Sequence, residues 1–309
     1  MGVGPMPPRK PKHSARAGPA DSRQLPSSAL IIFAKAPVPG QVKTRLCPPL
    51  TPDEAASLHG SVVLDMLERS RGAAAMDRFL ACSPSSDHVF FKILEERHGV
   101  RLITQTGDDL GARMARAMAD AFAGGYRHVL VIGTDLPTLP ASTFGDAVKL
   151  LAAHDLVLGP TLDGGYYLIG LRRPAPELFA GIPWSTDRVL ALTRTKASAA
   201  GLKTALLPVR RDLDTLDDLL ALIEETGAGR ETRGVSEARR SKFDVGGQKE
   251  PTLEPRTSPS RAEALRHAGS NLERGMLSPR TAGVLRLLAS RVRMDQPRTP
   301  ESRRPAAPL

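Results

Sequence analysis

Cysteine is nearly missing from this chain: two residues, Cys47 and Cys82, in a sequence of 309. They stand in separate segments without metal-ligand spacing, which excludes a disulfide framework and fits a reducing, cytoplasmic setting. Long apolar runs are also missing. No stretch reaches the roughly 20 residues needed to span a bilayer, and no apolar core follows the basic N-terminus, so neither a membrane partner nor an export signal is expected. The first apolar segment is not followed by Gly-x-Gly-x-x-Gly, which disfavours a dinucleotide-binding Rossmann domain, and the Gly-x-x-x-x-Gly-Lys-Ser/Thr phosphate loop does not occur.

Excess charge is absent from the part of the chain able to fold. The formal net charge is +10, yet residues 27–227 hold 21 Lys+Arg against 23 Asp+Glu. Residues 1–26 hold 5 against 1 and residues 228–309 hold 17 against 9. The basicity therefore belongs to the ends, and nucleic acid is not an expected partner of the body; weak, salt-sensitive polyanion contacts are open to the basic ends. Composition divides the chain into a basic, Pro-rich, disordered leader (1–28), a folded domain (29–226) and a basic Pro/Ser/Arg-rich tail (227–309). The tail reads as mostly disordered, with one weak basic amphipathic helix over 280–294.

Between those ends, apolar strand-like runs alternate with helical periodicity. Strands are expected over 29–34, 78–82, 100–104, 128–132, 156–159 and 204–209, with another after Gly165. Helices are expected over 52–71, 87–97, from about 110 to 122, over 141–153 and 187–201, and from 216. This is the pattern of an α/β sandwich with a largely parallel sheet. The run His128-Val129-Leu130-Val131-Ile132 ends in Gly133-Thr134-Asp135. In open α/β sheets ligands bind outside the carboxyl ends of the strands, so Asp135 is placed either to hold a metal ion or to cap the following turn.

Four further segments carry chemistry. After the first strand, residues 35–46 combine turn formers (Pro37, Pro39, Gly40) with Lys35, Lys43 and Arg45, a loop suited to cradling phosphates or simply a solvated basic loop. After the third strand, Gln105, Gly107, Gly111 and Arg113 lie on a polar turn entering a helix. The amide can pair with a base edge and the glycines admit a flat ligand, unless Gln105 is an ordinary loop residue. Asp163-Gly164-Gly165-Tyr166 leaves room beside a carboxylate and equally describes an Asp-Gly hairpin turn. Asp212 and Asp214 precede a helix whose first-turn acids, Asp217 and Asp218, are explained by the helix dipole; the earlier pair is not. Trp184, the sole tryptophan, reads as a core or edge aromatic.

The segments 35–46, 105–114, 133–137, 163–166 and 212–215 resemble, in order and approximate spacing, a bacterial family of small GT-A-fold proteins in the nucleotide-diphospho-sugar transferase superfamily. These are the proteins called arsenosugar-biosynthesis-type glycosyltransferases or radical-SAM/selenodomain-associated transferases. The chain is also similar to molybdopterin nucleotidyltransferases and to the guanylyltransferase of deazaflavin cofactor synthesis. The resemblance covers about residues 29–226 and implies a GT-A three-layer α/β/α sandwich with a mostly parallel mixed sheet. It further implies a nucleotide bound by Lys35, Gly40, Lys43, Arg45, Gln105, Gly107, Gly111 and Arg113, with Asp135 and Asp214 on Mg²⁺ or Mn²⁺. Gly164, Gly165 and Tyr166 would face the substrate, and Asp163 is the candidate general base. Leu136 occupies a place often held by Cys, and the first loop lacks the Gly-x-Gly run of typical nucleotidyltransferases. The first expectation is therefore sugar transfer from a nucleotide-diphosphate donor to a small acceptor. The second is nucleotidyl transfer, of guanylyl or cytidylyl type, from a nucleoside triphosphate to a phosphorylated small molecule. The third is a non-catalytic nucleotide-binding protein with polyanion-binding ends.

Overall fold

The strand Ser28-Ala-Leu-Ile-Ile-Phe-Ala-Lys35 (β1) is buried along all but its last residue and sits in the middle of the sheet. The computed structural model describes residues 27–73, 75–226 and 277–295. Nearly all of the leader expected over 1–28, and the tail expected over 227–309 apart from 277–295, lie outside the described residues.

β1 pairs in parallel with β2 (Met76–Ser83) on one side and β4 (His128–Ile132) on the other, and β2 pairs in parallel with β3 (Arg101–Thr104). A strand covered on both faces reads as a continuous apolar run, which is why 29–34 and 128–132 carry no polar alternation. Successive side chains divide between the faces: Leu30 and Ile32 enter one apolar cluster, Ala29, Ile31 and Phe33 the other. The second half of the sheet is mixed. β5 (Leu156–Pro160) turns back into β6 (Tyr166–Leu171), which runs antiparallel to both β5 and β4, and β7 (Thr204–Leu206) pairs in parallel with β5. The strand order is β3-β2-β1-β4-β6-β5-β7.

Helices α1 (Pro52–Arg69), α2 (Val89–His98) and α4 (Ser142–Leu151) cover one face, through Met66, Phe91 and Phe144 among others. Helices α3 (Leu110–Ala123) and α5 (Val189–Ala199) cover the second through Met114, Met118 and Ala197. The expected three-layer α/β/α sandwich with a mostly parallel sheet is what the structure holds. Local chemistry sets the helix starts. Thr51 and Glu54 form a reciprocal capping box around Pro52, and the Asp109 carboxylate accepts a 2.7 Å hydrogen bond from the Ala112 amide.

A third apolar cluster lies to the side of α1. There α6 (Leu216–Thr226) and α7 (Pro279–Asp295) pack Leu219, Leu222, Leu285 and Leu288 against Leu58 and Val62 of α1, together with Leu46 and Leu213. The Arg280 guanidinium donates to the fully buried Asp65 at 3.0 Å and to Glu68 at 2.9 Å, both on α1. The weak basic helix expected within the tail is thus attached to the body by contacts that include an apolar stripe and the Arg280 ion pairs. Among the described residues no helix is long and apolar enough to cross a membrane.

Candidate functional site

Strand order reverses direction between β1 and β4, and the crevice at such a switch point is where open α/β sheets take ligands. The structure has a cavity of about 490 Å³ there. Its floor is the carboxyl ends of β1 and β4 and the start of β6. Its walls come from the 41–45 loop, the 105–114 turn, the 184–186 segment and the 212–214 loop.

One wall is ionic. Lys43 is held in the left-handed region (φ 50°, ψ 34°), which a residue with a Cβ occupies only where its surroundings demand it. Its nearly buried ammonium donates to the Leu213 carbonyl, lies 2.5 Å from Asp135 Oδ1, and is 3.8 Å from Asp214 Oδ1. The two acid-bearing loops are stitched to each other, because the Leu213 amide donates to the Asp135 carbonyl at 2.9 Å. Arg45 reaches Asp214 at 2.7 Å from the solvent side. Burial alone would raise the Asp135 carboxyl, but Lys43 foremost, with His59 and Lys35, holds the group below the ordinary carboxylate range. Among the described residues Asp212 has no such partner: burial first, and the nearby charge of Asp163 second, push it up to about 6.

Buried groups fix this wall from behind. His59, on α1, has its Nε2 3.1 Å from the Lys35 carbonyl, and burial lowers its imidazole. Arg69, also on α1, donates to the carbonyls of Pro137 and, at 2.7 Å, Leu139, clamping the backbone that follows Asp135. Leu136 is buried in the main core, so the position often held by Cys is here plain apolar packing.

The opposite wall is apolar and aromatic. Trp184 meets Tyr166 edge to face (centroids 6.4 Å apart, planes at 87°), with Leu110 and Met114 beside them. A Cβ on Gly111 would lie 2.5 Å from the indole, so that glycine makes room for Trp184 instead of for a ligand. Gln105 is at the cavity, but its amide nitrogen donates to the carbonyls of Ala81 (2.8 Å) and Ala34 (3.3 Å), joining the tops of β1 and β2.

The expected residues therefore divide. Lys35, Lys43, Arg45, Gln105, Asp135, Asp163, Gly165, Tyr166 and Asp214 come together around the cavity; Gly40, Gly107, Gly111, Arg113 and Gly164 do not line it. Arg113 instead donates to the Gly107 carbonyl at 3.0 Å on the exposed side of the turn. Asp163 Oδ1 accepts from Thr161 Oγ1 at 2.5 Å and from the Gly165 amide at 3.0 Å, so the hairpin-turn reading holds. Gly164, at φ +88°, lies where any Cβ would strike the Asp187 backbone at 2.1 Å. Sequence reasoning missed Trp184 and His59 as cavity residues and left Asp212 without a role. Trp184 carried a usable signal, as the sole tryptophan in a Pro-Trp-Ser-Thr turn; His59, inside an ordinary helix, carried none.

The donor set at Lys43 bears on whether a metal ion fits. Two carboxylates and a backbone carbonyl surround one cationic nitrogen, and these hard oxygens are the ligand types that Mg²⁺ or Mn²⁺ takes, commonly with only one or two carboxylates. The chemistry of the cage fits such an ion. Among the described residues no group of three or more His, Cys, Asp or Glu is assembled for one, so water or phosphate oxygens would complete the shell.

Comparison with known proteins adds four observations. Residues 66–186 match the family described as "Uncharacterized protein conserved in bacteria (DUF2064)". Over 213 residues the chain is 30% identical to a 3-phospho-D-glycerate guanylyltransferase of Phenylobacterium zucineum, covering 65% of this chain and 92% of that one. It is also 28% identical over 144 residues to a 2-phospho-L-lactate guanylyltransferase of Methanothermobacter thermautotrophicus, covering 45% of this chain and 60% of that protein. Among solved structures, a protein of Desulfovibrio desulfuricans G20 provisionally named a nucleotide-diphospho-sugar transferase superimposes with a TM-score of 0.64. It is 29% identical, with 87% of this chain and 98% of that one covered.

Proposed function

We propose that this chain, which belongs to the family of the Phenylobacterium 3-phospho-D-glycerate guanylyltransferase and is a transferase of the nucleotide-diphospho-sugar transferase superfamily, is a nucleotidyltransferase. Its donor would be a nucleoside triphosphate, with GTP the first candidate, and its acceptor a small phosphorylated acid. The observation that carries this reading is the family match, which spans 92% of a guanylyltransferase. It reverses the order expected from the sequence, in which sugar transfer stood ahead of nucleotidyl transfer.

In this reaction an acceptor phosphate oxygen attacks the α-phosphorus, a new P–O bond forms, the bond to the β-phosphate oxygen breaks, and pyrophosphate leaves. Catalysis is then mostly positioning and charge neutralisation. Lys35, Lys43 and Arg45 would face the phosphates, and the flat wall of Trp184, Leu110 and Met114 would lie against the base. Asp135 and Asp214 would hold a divalent cation, whose contribution when bound is to neutralise charge developing on the leaving pyrophosphate.

A phosphate nucleophile also removes the need for a general base. Its second pKa is near 6, so it is already anionic at neutral pH. That suits a site in which Asp163 is engaged in its own turn. Transfer to a sugar or alcohol hydroxyl would need such a base.

The test is pyrophosphate release with Mg²⁺ or Mn²⁺ across the four common nucleoside triphosphates and a panel of phosphorylated acids, 3-phosphoglycerate included. Turnover with one pair and none with nucleotide sugars is expected. A second reading, sugar transfer of the arsenosugar type, draws support from the Desulfovibrio structure's given class. Release of nucleoside diphosphate from a nucleotide sugar, without pyrophosphate release from any triphosphate, would establish it in place of the first.

A further inference from the structure

The Lys43 side chain is only 4% exposed, although it belongs to an open loop at the mouth of the cavity, and its ammonium occupies the middle of the oxygen cage formed by Asp135, Leu213 and Asp214. An ammonium has three donors and no acceptor, and here two of them meet oxygen, the Leu213 carbonyl and Asp135 Oδ1, with Asp214 Oδ1 at ion-pair range. A nucleotide-binding lysine would be expected to project freely into the cavity; this one is tied to the acids. The left-handed backbone at Lys43 is part of the same arrangement, since the ionic contacts hold a conformation that the residue would otherwise leave.

On the reading that Asp135 and Asp214 bind a divalent cation, we propose that Lys43 is the resident counter-ion of the metal cage in the nucleotide-free protein and gives up that place when metal and nucleotide arrive together. An ammonium and a divalent cation within a few ångströms repel each other. The two cannot share the cage, and triphosphate oxygens supply the alternative partner that lets Lys43 leave. Nucleotide and metal then bind with positive coupling, because each removes a cost of binding the other. The lysine also keeps the two acids from facing each other uncompensated when the site holds no metal, which preserves the loop geometry between turnovers.

Mn²⁺ affinity of the full-length chain, measured by titration calorimetry and by the electron paramagnetic resonance signal of free Mn²⁺, tests this without reference to turnover. With the cage vacated by Lys43→Met, Mn²⁺ should bind in the absence of nucleotide about tenfold or more tighter than to the unaltered protein. Adding GTP should tighten Mn²⁺ binding to the unaltered protein far more than to the variant. Lys43→Gln, which retains a donor for Leu213, should behave the same way and serves if Lys43→Met does not fold. Equal or weaker Mn²⁺ binding by both variants, with binding still abolished by Asp135→Asn, would overturn the exchange and leave the metal reading standing. Absence of Mn²⁺ binding to every variant, with or without GTP, would overturn both.

Discussion

The two walls of the cavity are built on opposite principles. On the ionic wall, Lys43, Asp135, Arg45 and Asp214 form one chain of ion pairs, so removing Lys43 or Asp214 leaves a neighbouring charge without its partner. On the aromatic wall, Trp184, Tyr166, Leu110 and Met114 are held by contact area and by the absence of a side chain at Gly111. For the proposed reaction, the difference assigns each wall a separate part. Charges pre-set in a cleft act on charge that develops in the transition state, whereas a flat apolar surface binds ground state and transition state alike.

That division makes unequal demands on variants. Asp135→Ala should have the largest effect, lowering kcat by about 10³-fold or more, the scale of losing a principal electrostatic stabiliser. Pyrophosphate-release kinetics measure it, and a loss below tenfold would show that the ionic wall is not the catalytic one. Trp184→Ala should act on KM for the nucleotide instead, raising it roughly tenfold with kcat within a few-fold, since base stacking on an aromatic contributes about 1–3 kcal/mol. A kcat defect equal to that of Asp135→Ala would erase the distinction between the walls.

Gly111→Ala should cost about 1–3 kcal/mol of stability by overpacking, because its new methyl group would collide with the indole. As Trp184 is the sole tryptophan, its fluorescence emission should shift in the same variant and report the displaced wall directly.

The smallest effect belongs to a residue on neither wall. Asp155 sits just before β5, at the end away from the cavity, and accepts from the Lys203 amide at 3.0 Å and from Arg172 at 2.8 Å. The Lys203 amide first, and the arginines with it, hold its carboxyl below the ordinary value. A carboxyl so depressed in the folded state stabilises the protein above its unfolded pKa, and the contribution is lost as pH falls through the folded value. Asp155→Asn should therefore lower the urea midpoint at pH 7 and flatten its decline below about pH 4, with KM and kcat unchanged.

The ionic wall was largely legible in the sequence because charge at the end of a buried apolar run is conspicuous. Asp135 after 128–132 and Lys35 after 29–34 needed only strand recognition to be brought near each other. The partnership of Lys43 with Leu213 was not legible, because it joins segments 170 residues apart through a backbone carbonyl that no side-chain pattern announces. The aromatic wall was harder still. A tryptophan in a turn says nothing about which surface it will meet, and Gly111 signalled close approach without saying to what. Gly107, Gly111 and Gly164 show the same limit: glycine marks a tight place, and here the tight neighbours are Ala112, Trp184 and Asp187 of the protein itself.

Helix α7 reaches its place on α1 from far along the chain, and Leu285 and Leu288 share one cluster with Leu46 and Leu213, which flank the two loops of the cage. Two fragments produced by a single cut between α6 and α7 should therefore co-purify through this cluster and the Arg280–Asp65 pair. Ending the chain at 226 would do the opposite: it would open the apolar seam under the cage, expose α1, and strip Asp65 of its Arg280 partner.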